Sequence, residues 1–158
     1  MRAVADRFEA AGFIAPTFGQ RLIGRILDSL IALPVFVVLA LTLNGFVSQV
    51  IPFTIAAAYE IIGIAVWGQT LGKRIVGTLV VSTVSDTLQP EQAVVRFIAY
   101  GGLGFLLTAL GLNLVGELVT LVVILPVLRS PLHRGLHDLA ARTIVVPTRT
   151  WSAAPPPR

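Results

Sequence analysis

The chain has 158 residues, of which 55% are hydrophobic and 13% charged, and its mean hydropathy is +0.86. Because soluble domains carry about 25% charged residues, this composition argues against a water-soluble fold and predicts one integral membrane domain. Cysteine is absent, which excludes disulfides, thiolate nucleophiles and cysteine metal sites.

The positive charges are not evenly distributed along the chain. All 12 Lys and Arg fall into three clusters, Arg2 to Arg25, Lys73 to Arg96, and Arg129 to the C-terminus. These clusters flank apolar runs and do not form a basic stripe with interleaved aromatic residues, so the net charge of +4 indicates a partnership with the lipid bilayer and not with nucleic acid.

Two membrane spans are predicted in the first half of the chain. The first runs from about Gln20 to Leu43 and the second from about Val47 to Trp67, and each reaches the roughly 20 residues that a helix needs to cross the hydrocarbon core. Asn44 and Gly45 mark the turn between them. The polar segment from Gly68 to Arg74 is expected to be a loop or a helix on the membrane surface.

The second half contains a longer apolar run, from Phe97 to Leu128. As one helix it would be about 48 Å long, too long for the bilayer core of about 30 Å. We therefore expect two helices joined near residues 112–115, the first beginning near Gln92 and the second ending near Ser130.

Two short β-branched segments remain, Thr78 to Thr83 and Thr143 to Val146. They are typical of strands and can pair as a small two-stranded ribbon at the membrane surface. Alone, such a ribbon is marginal.

The charge clusters select the topology, because Lys and Arg accumulate in cytoplasmic loops. Four spans place all three clusters on one side, whereas three would place the last cluster outside. The predicted fold class is therefore an all-α, four-helix multi-pass protein of the inner (plasma) membrane with both termini cytoplasmic. Residues 1–17 are assigned to an N-terminal cytoplasmic segment, residues 18–147 to the transmembrane domain and residues 148–158 to a Pro-rich disordered tail.

Two carboxylates lie inside the predicted spans. Asp28 and Glu60 are about 10 to 12 Å from the same membrane face at 1.5 Å per residue, so they are expected to meet. Arg21 and Arg25 share a helical face with Asp28, and Arg25 and Arg96 are the cations placed to approach the pair. Either this cluster is an ion-pair network that fixes the helices, or Asp28 and Glu60 bind a proton or cation.

Other motifs carry weaker signals. The segment GQTLGK has one residue too few between its glycines for a phosphate-binding loop, so nucleotide binding is rejected. His133 and His137 are four residues apart beside Asp138, but two histidines alone do not predict a metal site. Glu117 is expected to be a solvated interfacial acid, and no metal, cofactor or catalytic set is predicted.

Three ordered segments resemble the RDD family of small bacterial membrane proteins. FGQRLIGRILDSLI supplies Arg21 and Asp28, and HRGLHDLAARTIVV supplies His137 and Asp138. The central segment YEIIGIAVWGQTLGKRIVGTLVV supplies five more matching residues, Gln69, Thr70, Gly72, Lys73 and Gly77. The resemblance implies a multi-span membrane domain, and ligand or ion transport is only suggested for the family. One departure is Arg142, where the family commonly has Gly.

Two functions follow as hypotheses. The first is transport of a small ligand or ion, a proton or cation, by the intramembrane carboxylates. The second is a non-catalytic accessory or assembly subunit with a homo-oligomeric or membrane-protein partner, because Gly101, Gly102 and Gly104 allow helices to pack closely. An enzyme is the least favoured interpretation, since only His133, His137 and Asp138 offer candidate chemistry.

Overall fold

The computed structural model describes residues 15–110, 112–129 and 134–153. Helices dominate this part of the chain, and one pair of strands accompanies them. In chain order the elements are α1 (Phe18–Thr42), α2 (Val47–Trp67), α3 (Leu71–Ile75), β1 (Thr78–Ser82), α4 (Pro90–Phe97), a π-helical turn (Ile98–Gly102), α5 (Leu103–Ala109), α6 (Asn113–Ile124), α7 (Pro126–Arg129), α8 (Leu136–Ala140), β2 (Thr143–Pro147) and α9 (Thr148–Ala153).

The ends of the first two long helices follow from local sequence. Thr17 caps α1: its hydroxyl accepts a hydrogen bond from the Gln20 amide at 3.2 Å, and the Gln20 side chain accepts one from the Thr17 amide at 2.9 Å. This reciprocal pair is a capping box. At its other end, α2 stops at Gly68, which adopts the left-handed conformation with φ of 67° that commonly terminates helices.

Three helical segments are long and apolar enough to cross a membrane: α1, α2 and the continuous segment Pro90–Ala109. At most 22% of their most apolar windows is buried within the protein, so their outward faces are available to lipid. The bounds predicted for the second span match α2. The fourth predicted span corresponds to the shorter apolar stretch Leu114–Leu128, which is divided between α6 and α7.

The predicted ribbon is confirmed as an antiparallel pair, β1 with β2, in which Thr78 lies opposite Pro147 and Ser82 opposite Thr143. One face packs against the ends of α2 and α4, where Val80 and Val145 contact Ile64 and Ala93. The other face is covered in part by Trp151. This packing provides the support that an isolated ribbon lacks.

The two strands belong to a repeated unit. Each is preceded by a five-residue helix, α3 or α8, and a two-residue turn. The sequences LGKRIVGTLVVS and LHDLAARTIVVP align at a spacing of 65 residues and share one Leu, one Thr and two Val. Gly77 and Arg142 are equivalent and have φ of 70° and 52°, so Arg142 takes the conformation of the glycine it replaces.

The prediction of a disordered tail is wrong for its first six residues, because Thr148–Ala153 form α9. Two contacts hold this helix to the ribbon: the Thr148 amide donates to the Gly77 carbonyl at 2.8 Å, and Trp151 packs on β2. Residues 154–158, and residues 1–14 of the predicted N-terminal segment, lie outside the described part of the chain.

Helices α5 and α6 cross at two glycines. A Cβ added at Gly116 would lie 2.6 Å from the Gly104 carbonyl oxygen and 2.7 Å from the Thr108 hydroxyl oxygen. The hydroxyls of Thr108 and Thr120 donate to the Gly104 and Gly116 carbonyls, each at 3.0 Å. Such close backbone approach is a principal source of helix association in lipid.

We expect Gly116→Ala to destabilise the protein by about 1 to 3 kcal/mol, because the added methyl group forces α5 and α6 apart. Unfolding in mixed detergent micelles with increasing SDS measures this. The matched control is Gly101→Ala, whose added Cβ meets nothing within 4 Å. Equal stability of the two variants would contradict the close crossing.

Candidate functional site

Asp28 lies on the buried face of α1 and joins three segments. Its Oδ1 accepts hydrogen bonds from the Tyr59 hydroxyl and the Gly72 amide, both at 2.7 Å, and its Oδ2 accepts one from the Thr70 hydroxyl at 2.6 Å. The Tyr59 oxygen in turn accepts the Leu71 amide at 2.9 Å. Both oxygens of this carboxylate are therefore occupied by donors from α2 and from the start of α3.

The close approach of α3 to α1 requires glycine at position 72. A Cβ there would lie 2.8 Å from both the amide nitrogen and the carboxyl carbon of Asp28, and closer still to the Gly24 carbonyl oxygen. Gly24 is itself buried, and a Cβ added to it would meet Val76 at 3.2 Å. The family-motif glycine is thus a packing residue.

Glu60, on α2, is paired with Arg25 from α1. The two guanidinium nitrogens of Arg25 donate to the two carboxylate oxygens of Glu60 at 2.8 and 2.7 Å. This bidentate geometry is the strongest form of the ion pair. The same guanidinium lies over the Tyr100 ring, 4.1 Å from its centroid, which adds a cation–π contact.

Lys73 lies between the two carboxylates. Its Nζ is 3.9 Å from Asp28 Oδ2, 3.9 Å from Glu60 Oε1 and 3.2 Å from the Thr70 hydroxyl. Asp28 and Glu60 therefore do meet, as predicted, with the lysine between them. Burial and the neighbouring Arg25 lower the pKa of Lys73 to about 7. Arg74, the next residue, is exposed.

Asp138, in α8, is the third buried carboxylate. It forms ion pairs with Arg21 at 2.9 Å and with Arg96, and it accepts the Gly135 amide at 3.2 Å. Burial opposes its ionisation, but Arg96 and its other basic neighbours outweigh burial and hold the pKa of Asp138 well below its usual range. The sequence placed Arg96 beside Asp28 and Glu60. Arg96 does interact electrostatically with Glu60 and Lys73, but its hydrogen-bond partners are Asp138 and Thr143.

His137 is buried beside this pair. Its Nε2 lies 3.6 Å from Asp138 Oδ1, and its ring packs edge-on against Tyr100 at 5.3 Å between centroids. Burial and the positive charge of Arg96 lower the pKa of His137 to about 3, so the ring is neutral at physiological pH. Within the described residues, no group of three or more His, Asp or Glu is placed to hold a metal ion. His133 lies outside those residues.

The buried charges form two adjoining groups of ion pairs, Asp28–Lys73–Glu60–Arg25 and Arg21–Asp138–Arg96, whose cations line one cavity; together they are called the charged network. It contains three carboxylates, Asp28, Glu60 and Asp138, and four cations, Arg21, Arg25, Lys73 and Arg96. Sequence reasoning assigned Lys73 and Asp138 only to family motifs and missed their place in the network. The repeated unit was the available signal, because Lys73 and Asp138 are equivalent positions within it. Gln69 has no ion-pair role among the described contacts of the network. Its backbone amide donates to the Gly63 carbonyl at the end of α2.

Two cavities open beside the network. The first, about 160 Å³, is lined by cationic, aromatic and apolar side chains, among them Arg21, Arg25, Lys73, Arg96, Tyr100 and His137. The second, about 290 Å³, lies further along α1 and is lined by Arg25, Asp28, Ala32, Val35, Phe36 and Glu60, among others. Arg25 lines both cavities.

We expect Tyr59→Phe to destabilise the protein by about 1 to 3 kcal/mol, because it leaves Asp28 and the Leu71 amide each without one hydrogen-bond partner. The chain has two tyrosines, and Tyr100→Phe is the matched control, since no hydrogen bond of the Tyr100 hydroxyl is found among the described residues. SDS-induced unfolding of both variants measures the difference. A larger effect at Tyr100 would contradict the role assigned to Tyr59.

The sequence model of the RDD family matches residues 15–142, which include every residue of the charged network. No curated protein matches the sequence, and no solved structure does. The family match covers most of the 158 residues and agrees with the three apolar spanning helices. The chain belongs to the RDD family.

Proposed function

We propose that the protein crosses the inner (plasma) membrane four times, with both termini in the cytoplasm, and that it carries a small charged solute through the polar centre between its helices. The proposal has two parts, a topology and an activity, and each has its own support and its own test.

The support for four passes is the pairing of distant segments. Strand β1 follows the second long helix, β2 follows α6 and α7, and the two strands are hydrogen-bonded. Two paired strands at the membrane surface lie on one side of it, so the chain crosses an even number of times between them. If the segment Pro90–Ala109 crosses, the stretch Leu114–Leu128 must return. The Arg21–Asp138 ion pair supports the assignment of the start of α1 to that same side.

The absence of cysteine allows a direct test of this topology. We expect Asn44→Cys and Leu112→Cys to react with a membrane-impermeant maleimide in intact cells, and Asp86→Cys to react only after permeabilisation. All three residues are exposed. If residue 112 behaves like residue 86 and unlike residue 44, the last two helices do not cross the membrane.

The observation that favours transport is the two cavities that meet at Arg25. Charged side chains within spans are costly and commonly mark ion or substrate pathways. Here they line the first cavity, near the cytoplasmic ends of the helices, and the second cavity, which extends toward the bilayer centre. A rearrangement of the Arg25–Glu60 pair would join the two spaces, and we assign this pair the role of gate.

The sequence left two roles open for the carboxylates, and their contacts favour the structural one. Asp28 already accepts three hydrogen bonds, and Glu60 is held by both nitrogens of the Arg25 fork. A cation entering this site would have to displace those donors. We therefore propose that Asp28 fixes the helices and that solute contacts are made by the groups facing the cavities.

Flux through proteoliposomes tests the activity. We expect the protein to raise uptake of small ions above that of protein-free vesicles, and Ala32→Phe to reduce the uptake at least tenfold, because the ring fills the second cavity. Leu33→Phe is the control, since Leu33 is exposed on the same helix. Absence of flux for anions, cations and protons alike would refute the transport proposal.

The accessory-subunit hypothesis stays a prediction. Of the glycines that suggested a docking face, Gly104 contacts Gly116 and Thr120 within the chain, whereas an added Cβ at Gly101 meets nothing within 4 Å. The close packing at Gly104 is therefore accounted for by this protein's own helices. Transport is the activity that the cavities favour.

A further inference from the structure

The first cavity has an unusual lining for a protein with three buried carboxylates nearby. Five of its lining side chains carry nitrogen donors: Arg21, Arg25, Lys73, Arg96 and His137. Among the described residues that line it, none is Asp or Glu. The carboxylates contact the cations from outside the lining, so the nitrogen-bearing groups are the ones that face the space.

The groups around this space carry excess positive charge, and some of their polar atoms have no hydrogen-bond partner among the described residues. With Lys73 protonated, four cations and three carboxylates give the network one positive charge in excess. Among the described residues, the charged donor Arg96 Nε has no hydrogen-bond partner, and neither has the ring nitrogen Nδ1 of His137, although their side chains are only 4% and 7% exposed. Buried donors are normally paired, and leaving a charged one unpaired is costly.

Lys73 adds further donors. Its ammonium group has three N–H bonds. Among the described residues, one acceptor lies within hydrogen-bond distance, the Thr70 hydroxyl at 3.2 Å. The Asp28 and Glu60 carboxylates are each 3.9 Å away. A ligand that carries several acceptor oxygens and a negative charge would satisfy Lys73 and Arg96 together and would cancel the excess charge.

The size of the space limits the ligand. An engineered apolar cavity of about 150 Å³ accommodates benzene, so about 160 Å³ suits a molecule of roughly six non-hydrogen atoms. The remaining lining residues offer no counter-charge, because four are apolar and two carry uncharged hydroxyls: Phe18, Leu22, Val127 and Val145, and Thr78 and Tyr100. Phosphate, sulfate and short carboxylates have the appropriate size and charge.

We infer that this cavity is a binding site for a small oxyanion, such as phosphate, sulfate or a short carboxylate, held by Arg25, Lys73, Arg96 and His137. As the identity of a transported solute, this inference rests on the proposed transport function. As a binding site, it is tested separately from flux.

Lys73 couples the site to pH. The charged groups that face it are Arg25 and Asp28 on α1, Glu60 on α2 and Arg96 on α4, with neutral His137 on α8. Burial and Arg25 lower the pKa of Lys73 to about 7 in the empty site, whereas an adjacent anion favours the charged form. Anion binding is therefore accompanied by proton uptake, and affinity falls as pH rises through 7, by at most about tenfold per pH unit.

Calorimetry on the purified full-length protein, in a phospholipid-free neutral detergent, tests the site with inorganic phosphate, sulfate and acetate as probes. We expect saturable binding of at least one probe, tighter at pH 6 than at pH 8. At pH 7 the binding heat should vary with the ionisation enthalpy of the buffer, which reports proton uptake. Lys73→Met should weaken binding at least tenfold and remove the pH dependence, and Arg74→Met should leave both unchanged, because Arg74 is exposed.

Because Lys73 also touches both carboxylates, a second variant blocks the space without altering charge. Leu22 lines the cavity and is 46% exposed, so Leu22→Trp should fold and abolish binding. Leu30→Trp, at an exposed position on the same helix, should retain it. Equal binding by these two variants would overturn the site assignment.

Two further comparisons are needed. The first distinguishes a lipid phosphate from a free anion as the ligand, and the second distinguishes the binding site from the transport activity. If nanodiscs containing phosphatidylglycerol suppress phosphate binding and phosphatidylcholine nanodiscs do not, a lipid phosphate shares the oxyanion site, which supports the inference. Oxyanion binding without flux of any ion refutes transport and leaves the site intact. Cation or proton flux with no oxyanion binding in any arm refutes the site and leaves transport intact.

Discussion

The contact between the Asp28 carboxylate and the Gly72 amide constrains most of the arrangement around it. In a bilayer the helices gain little from hydrophobic association, because lipid tails are as apolar as their side chains. Close backbone packing and polar contacts must therefore define where α1, α2 and α3 lie. The Gly72 amide donates to Asp28 at 2.7 Å, and only a residue without Cβ allows that distance. Once α3 is fixed there, Lys73 is directed between Asp28 and Glu60.

The repeated helix-turn-strand unit explains why the network has two halves. In the first unit α3 brings Lys73 to the carboxylates of α1 and α2, and in the second α8 brings Asp138 to Arg21 and Arg96. The equivalent positions carry opposite charges, and each faces partners of the opposite sign. Because β1 and β2 pair in antiparallel register, the two units are held side by side, and the cations of both groups line the first cavity.

Sequence reasoning predicted the elements that depend on hydropathy and local residue preference. These include the bounds of α2, the division of the second apolar run into two helices, which the sequence placed near 112–115 and which the structure has before Asn113, and the ribbon of β-branched strands. It also predicted that Asp28 and Glu60 lie near each other, because the depth of a residue in the membrane follows from the number of residues between it and the end of its helix. It failed for Arg96 and Asp138, whose partners are 42 and 117 residues away. Depth does not specify which neighbouring helix a side chain faces. The tail helix α9 was not predicted either, because it depends on contacts with the ribbon.

A structural and a functional role for the buried charges are not alternatives in this protein. Arg25 donates to Glu60 and stacks on Tyr100, so it holds α1 against α2 and the π-helical turn, and the same residue lines both cavities. The carboxylates are occupied by the contacts that fix the helices, whereas the cations retain donors on the side that faces the first cavity. The ion pairs therefore position positive groups around a small space, and the contacts that fix the helices are the reason that its lining is cationic.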